Sequence, residues 1–221
     1  MIFRVIDTET TSFEGSVLEI ASVDIVDGKI CNPMSDFVKP AEAISFEAMA
    51  IHHITENMVA DAPLIESVID KYLDADIYVA HNAAFDREKL PQITAPWVCT
   101  LKLSRKLWPE GGHGNQYLRY AHALNPDVPE GLHAHRALYD CYVTAELLLH
   151  MNRIARWTVA EMREITKRPS LLHAMAFGKH KGKTFTDIAS EDPGYFRWCL
   201  SNMELNEDQE YTMKHAMGAI V

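Results

Sequence analysis

Residues 2–6, Ile-Phe-Arg-Val-Ile, form an almost unbroken apolar run that ends abruptly in Asp7-Thr8-Glu9. A run of this kind is expected of a strand inside a sheet, buried on both faces. Strand side chains alternate, so Asp7 and Glu9 point to the same side. Two like charges that close raise each other's pKa and oppose folding unless a cation or strong donors compensate them. The simplest compensation is a divalent metal ion.

The 221 residues allow one sizeable domain and a smaller one. Cys31, Cys99, Cys141 and Cys199 lie far apart with no C-x-x-C pair, which argues against a zinc site or a disulfide framework. Carboxylates stand where a signal peptide would need its apolar core, and no apolar stretch reaches membrane-spanning length. A soluble cytoplasmic protein with no membrane contact is expected. The net charge of −10 argues against gripping nucleic acid by bulk electrostatics. That charge is uneven, because residues 1–152 hold 11 Lys+Arg against 22 Asp+Glu while residues 153–221 hold 10 against 9. Two modules are expected, 1–155 and 156–221, with the handover near Trp157.

Ser16 to Val26 alternates loosely and is rich in β-branched residues, and Asp27-Gly28 is a hairpin signal. A third strand is expected through Phe37–Lys39, then a short helix from Ser45 running into Ile51–Thr55, with Thr55 a second N-cap. Leu64–Leu73 has helical spacing, and Ile77–Ala80 reads as a buried strand. His81–Asp86 then turns into a helix stopping before Pro91. Trp97–Cys99 reads as a strand and Thr100–Leu107 as a helix; a further helix is expected over Asn115–Leu124 and another over Arg136–Met151. The last is apolar on two sides, with Asp140 in a column with Ala137, Leu147 and Met151, so its carboxylate needs a partner. Thr158–Glu161 is a capping box, Phe177–Phe185 reads as a tight hairpin with a basic tip, and two helices follow.

The candidate chemistry gathers Asp7 and Glu9 at one strand end, Asp86 after another, and Asp140 on a helix with His135 five residues before it. Such an oxygen-rich set suits a hard ion such as Mg²⁺ or Mn²⁺, and carboxylate clusters holding two ions serve in-line phosphodiester hydrolysis by water. His135 and Asp140 would lie about 140° apart on a helix, so they converge only if His135 sits at or before the helix start. A neutral imidazole there could accept the proton of the attacking water.

These residues resemble the DEDDh branch of the DnaQ-like 3′-5′ exonucleases. Asp7–Thr11 is similar to the first motif, His81–Asp86 to the second, and His135–Asp140 to the third, as H-x-A-x-x-D. The likeness covers about residues 1–152 and takes in Ile51–Thr55 and Cys99–Leu101. Phe177–Trp198 resembles a small module carried by one member. The resemblance implies an α/β fold, a ribonuclease-H-like mixed sheet flanked by helices, with a small C-terminal α+β module. It implies two ions, Mg²⁺ or Mn²⁺, and release of 5′-mononucleotides from the 3′ ends of single-stranded or duplex DNA. Asp7, Glu9 and Asp140 would contact metal directly and Asp86 partly through water, with His135 as general base beside Glu9. The expected substrate contacts are Thr8, Thr10, Ser12, Phe13, His52, Ile54, Asn82 and Phe85, with Phe13 a wedge against the last base. Phe13 packed on the sheet, and His52 with Ile54 tucked into the core, are the alternatives. Ser12 stands where the family often has glycine, and a positive φ there would strain it. Two rival functions remain: an RNA-trimming exonuclease, since RNA is told from DNA by its 2′-OH, and a proofreading or interaction subunit docked on a polymerase.

Overall fold

In the computed structural model, which describes residues 1–218, the apolar opening becomes β1 (Phe3–Thr10). The strand runs through the two carboxylates instead of stopping at them. β2 (Val17–Val26) returns antiparallel, pairing Val5 with Val23, Asp7 with Ala21 and Glu9 with Glu19. Asp27 and Gly28 turn the chain with φ of 50° and 76°, as a type I′ hairpin requires. β3 (Lys29–Phe37) follows at once, so the third strand lies before the expected Phe37–Lys39. Its sequence hides it: Pro33 sits inside it and no side chain is fully buried, both tolerable because β3 is the sheet edge.

α1 (Phe46–His52) is capped by Ser45, whose side chain accepts from the Ala48 N–H, and it runs into the Ile51–Thr55 stretch as expected, ending at His52 because His53 turns left-handed at φ 60°. α2 (Glu56–Val59) starts after Thr55 without a side-chain cap. The helix expected over 64–73 is broken into α3 (Ile65–Val68) and a 3₁₀ turn at Ile69–Tyr72. There the Tyr72 hydroxyl lies 2.8 Å from Asp36 and 3.1 Å from the Ile20 carbonyl, tying the turn to the sheet. β4 (Ile77–Ala80) pairs parallel with β1, α4 (Ala83–Lys89) follows, and β5 (Trp97–Cys99) pairs parallel with β4. α5 (Thr100–Leu107) and α6 (Asn115–Ala121) flank a glycine-bearing loop, and α7 (Ala137–Ala155) runs a turn beyond the expected Met151. The mixed sheet has the order β3-β2-β1-β4-β5, with β1 at its centre.

Strand alternation sorts the sheet into two faces. Val5, Ala21, Val23, Val79 and Val98 pack against Ala137, Cys141, Ala145 and Leu148 of α7. Ile6, Ile20, Tyr78 and Trp97 pack on the other side with Ile69, Tyr72 and Leu90. α7 is buried on two sides as its sequence indicates; Ala137, Leu147 and Met151 are fully buried, whereas Leu138, Tyr142 and Leu149 are only partly so.

α8 (Val159–Lys167) opens with the expected capping box of Thr158 and Glu161. Its Met162 is buried in the core beneath α7, and Thr166 Oγ1 accepts from the Cys99 N–H at 2.9 Å. α8 thus packs with the sheet. Beyond it, α9 (Phe185–Glu191), α10 (Pro193–Asn202) and α11 (Glu207–Ala216) close a separate small core on Phe185, Ile188, Phe196 and Met213. The hairpin expected over 177–185 is absent: a 3₁₀ turn at Gly178–His180 is joined by one bridge, Ala174 to Thr184. Gly178, at φ 67°, lies against Tyr195, and a Cβ there would meet the tyrosine hydroxyl at 2.0 Å. The lysine tip is largely neutralised, with Lys179 and His180 on Asp192 at 2.7 and 3.0 Å and Lys183 on Glu191. No helix among the described residues is long and apolar enough to cross a membrane.

Candidate active site

Asp7 and Glu9, two residues apart on β1, face α7, and α7 presents Asp140 from its first turn. One carboxylate oxygen from each of the three lies within 4.8 Å of the others. Asp86 enters from the first turn of α4, is 2% exposed, and accepts from the Thr8 hydroxyl at 3.0 Å. It lies outside the tight triad, yet its charge is the foremost neighbour raising Asp7.

Every one of these acids is pushed towards its protonated form. Burial, then the charges of Asp140 and Glu19, lifts Glu9 to about 9. Burial, then Asp86 and Glu9, holds Asp7 well above the carboxylate range. Burial lifts Asp86 to about 7 against the opposing hydrogen bond from Thr8. Asp140 is raised by burial although His135 N–H donates to Oδ2 at 2.9 Å and Gln116 Nε2 to Oδ1 at 2.8 Å. Four acids brought together at this cost fit a cation, and an all-oxygen donor set fits a hard divalent one.

Two residues that sequence reasoning passed over hold the arrangement. Glu19, opposite Glu9 on β2, is 1% exposed and grips Arg136 through Nε at 3.1 Å and Nη2 at 2.6 Å. The same carboxylate accepts the Ala137 N–H at 3.1 Å, so it caps α7 and anchors the residue next to His135. A charge inside the apolar stretch Leu18-Glu19-Ile20 was the available signal, since a buried carboxylate needs a partner. Gln116 gave none: it is one polar residue on a half-buried helix.

His135 sits just before the N-cap Arg136, as convergence with Asp140 required, in a left-handed conformation at φ 64°. It is exposed, and its ring makes no hydrogen bond among the described residues. Phe13 is 79% exposed and leans on half-buried Phe85 with ring centroids 5.6 Å apart, so it is not packed into the sheet. Ser12 and Asn82 are exposed. Ser12 is not among the residues with positive φ, so the expected strain is absent; Gly15 takes the close approach, where a Cβ would meet Thr11 Oγ1 at 2.0 Å.

Four expected substrate contacts turn inward instead. The Thr8 hydroxyl serves Asp86 and the Thr10 hydroxyl donates to the Ser12 carbonyl at 2.7 Å. Ile54 is fully buried with Leu18, Ile44 and Val59, and His52, 2% exposed, accepts the Ile54 N–H on Nδ1 at 3.0 Å. His81 is structural, joining Thr100 Oγ1 at 2.9 Å to the His113 carbonyl at 2.7 Å.

Residues 5–148 match the family model described as Exonuclease, and residues 175–204 the one described as Exodeoxyribonuclease X-like C-terminal. The chain is 51% identical over 215 residues to Exodeoxyribonuclease 10 of Escherichia coli K12, covering 97% of this chain and 98% of that protein. It is 32% identical over 185 residues to the PolC-type DNA polymerase III of Staphylococcus aureus, covering 76% of this chain but 12% of the polymerase. The solved structure of exonuclease X with 5′ overhanging duplex DNA superposes with a TM-score of 0.73 at 54% identity, over 74% of this chain and 99% of that one. Exonuclease I, at 16% identity and a TM-score of 0.57 over 70% of this chain and 43% of its own, shares the fold. With its ordered motifs and converging acids, the chain belongs to the exonuclease family, in its DnaQ-like DEDDh form, and is a 3′-5′ exonuclease.

Proposed function

We propose that this chain removes 5′-mononucleotides from the 3′ end of DNA, using two divalent ions and His135 as the base. The observation that carries the reading is the convergence of Asp7, Glu9 and Asp140, with Asp86 beside them and His135 exposed at the rim. Asp7, Glu9 and Asp140 would hold Mg²⁺ or Mn²⁺ directly, and Asp86 through water. Bound ions would neutralise the acids and polarise the scissile phosphate.

The chain's own residues then have separate tasks. His135 takes the proton of the attacking water and is free to do so, because its ring is committed to no other group among the described residues. Its backbone N–H, bonded to Asp140, keeps the base and that carboxylate in register. Phe13 and Phe85 offer the last base an aromatic face that suits any sequence. Ser12 and Asn82 lie exposed on the loops that flank it. DNA as substrate is supported by the relative named Exodeoxyribonuclease 10 and by the exonuclease X complex with duplex DNA.

Incubation of 5′-labelled single-stranded and duplex DNA, and of matched RNA, with Mg²⁺, Mn²⁺ or EDTA tests this. Stepwise shortening from the 3′ end, with 5′-mononucleotides released and EDTA inhibiting, is expected. Faster loss of RNA than DNA would overturn the substrate, and full activity in EDTA would overturn the ions.

A further inference from the structure

The family's catalytic site leaves one large feature of this molecule without a task. A cleft of about 980 Å³ opens between the sheet domain and the C-terminal module. The sheet domain lines it with Asn82 and Arg87 at α4, Trp97, Lys102 and Lys167 at the end of α8; the module contributes Leu172 and the start of α11. The volume is at the upper end for small-molecule pockets. α4 is shared, since the helix that lends Asn82 and Arg87 to the cleft sends Asp86 into the catalytic site.

Its chemistry differs from that of the surrounding domain. Arg87 has no ion pair among the described residues, and Lys102 spends its ammonium on a backbone carbonyl, that of Arg168, which leaves its charge uncancelled. Lys167 is exposed and shares only a surface pair with Glu164. Of the two acids on the module side, Glu207 and Asp208, the latter is neutralised by Arg105. Cations therefore stand beside partly exposed apolar surface from Leu101 and Leu172, in a domain that is otherwise strongly negative. Phosphates for the cations and bases for the apolar surface are what a polynucleotide supplies.

We infer that this cleft binds the single strand that leads to the 3′ end, so that the module and the sheet domain together form a track behind the catalytic site. The inference rests on the exonuclease reading and adds a second nucleic-acid contact, distinct from the one at Phe13 and Phe85. The basic turn at Lys179–Lys183 is not this contact, because Lys179, His180 and Lys183 already meet Asp192 and Glu191 and only Lys181 keeps an unpaired charge among the described residues.

Fluorescence anisotropy with a labelled single-stranded DNA of about 20 nucleotides, in EDTA so that nothing is cleaved, tests it across a salt series. The triple variant Arg87→Glu, Lys102→Glu, Lys167→Glu should bind about tenfold or more weakly, and its plot of log K against log salt should be shallower by about two, near 0.7 for each lost phosphate contact. The double variant Arg87→Glu, Lys167→Glu changes only exposed side chains and should show the same direction. Hydrogen exchange of the unaltered protein should show added protection at 166–176 when the strand is present. Unchanged affinity and slope in the double variant, or protection confined to the catalytic site, overturns the track. If the wild-type protein binds DNA with the full slope yet digests none of it with Mg²⁺, the exonuclease reading fails and the cleft does not. A wild-type protein that binds no DNA overturns both.

Discussion

Glu9 must keep a carboxylate among Asp140, Glu19 and Asp86, and burial with those neighbours lifts its pKa from 4.5 to about 9. The folded chain therefore holds that proton more tightly than the unfolded chain. Without cations, the contribution of Glu9 to stability is fully present below about 4.5 and is lost as pH rises to about 9. Thermal unfolding in EDTA should show this decline, and Glu9→Gln should flatten it while abolishing turnover. Millimolar Mg²⁺ should raise the wild-type Tm most at high pH; a Tm indifferent to Mg²⁺ would remove the cation from the site. His135 is the contrasting case, exposed and without hydrogen bonds from its ring. His135→Asn should leave Tm unchanged and lower kcat about 10²- to 10⁴-fold. A variant that keeps its kcat would take the base role from His135.

α7 brings the site together, and it is held from outside itself. Glu19 caps its first turn and clamps Arg136, so Glu19→Ala leaves a helix N–H without its acceptor and a partly buried guanidinium without its counter-charge. Breaking a pair of this kind costs about 3 kcal/mol or more, and chemical denaturation should read a loss of that order. Because Asp140 and His135 ride on the same turn, kcat should fall further than stability alone explains, and Glu19→Gln, which keeps an acceptor, should recover part of both. Equal loss in the two variants would make the clamp purely electrostatic. The buried position of Glu19 could be suspected from its apolar neighbours, but its pairing with Arg136 could not, since the two are far apart in the chain and a single sequence carries no pairing information. Asp7, Glu9, Asp86 and His135–Asp140 were legible because each acid breaks a local apolar pattern or sits in a short motif. β3 was not, because an edge strand needs neither alternation nor freedom from proline. The 177–185 turn misled for a related reason: glycines at 178 and 182 suit a hairpin and a 3₁₀ turn alike, and only packing on Tyr195 decides.

Across the whole molecule the sheet domain and the module have separate cores, with α8 on the side of the sheet. A chain ending at residue 168 should therefore keep cooperative unfolding near the full-length midpoint. One ending at 155 should lose about 2–4 kcal/mol, as the buried Met162 and its neighbours go with α8. Circular dichroism melts of the two would compare them, and equal midpoints would return the boundary to Trp157.

Asp140 reaches β1 only after most of the chain has been made. A ribosome that has delivered the first strand and α4 exposes three of the four acids, but the one that completes the cluster is still to be translated. Synthesis itself thus works as a safety catch: the nascent protein should be harmless to nearby nucleic acid until its longest helix has emerged and docked. Stalled chains released before residue 137 and after residue 168 should differ accordingly in whether they degrade DNA.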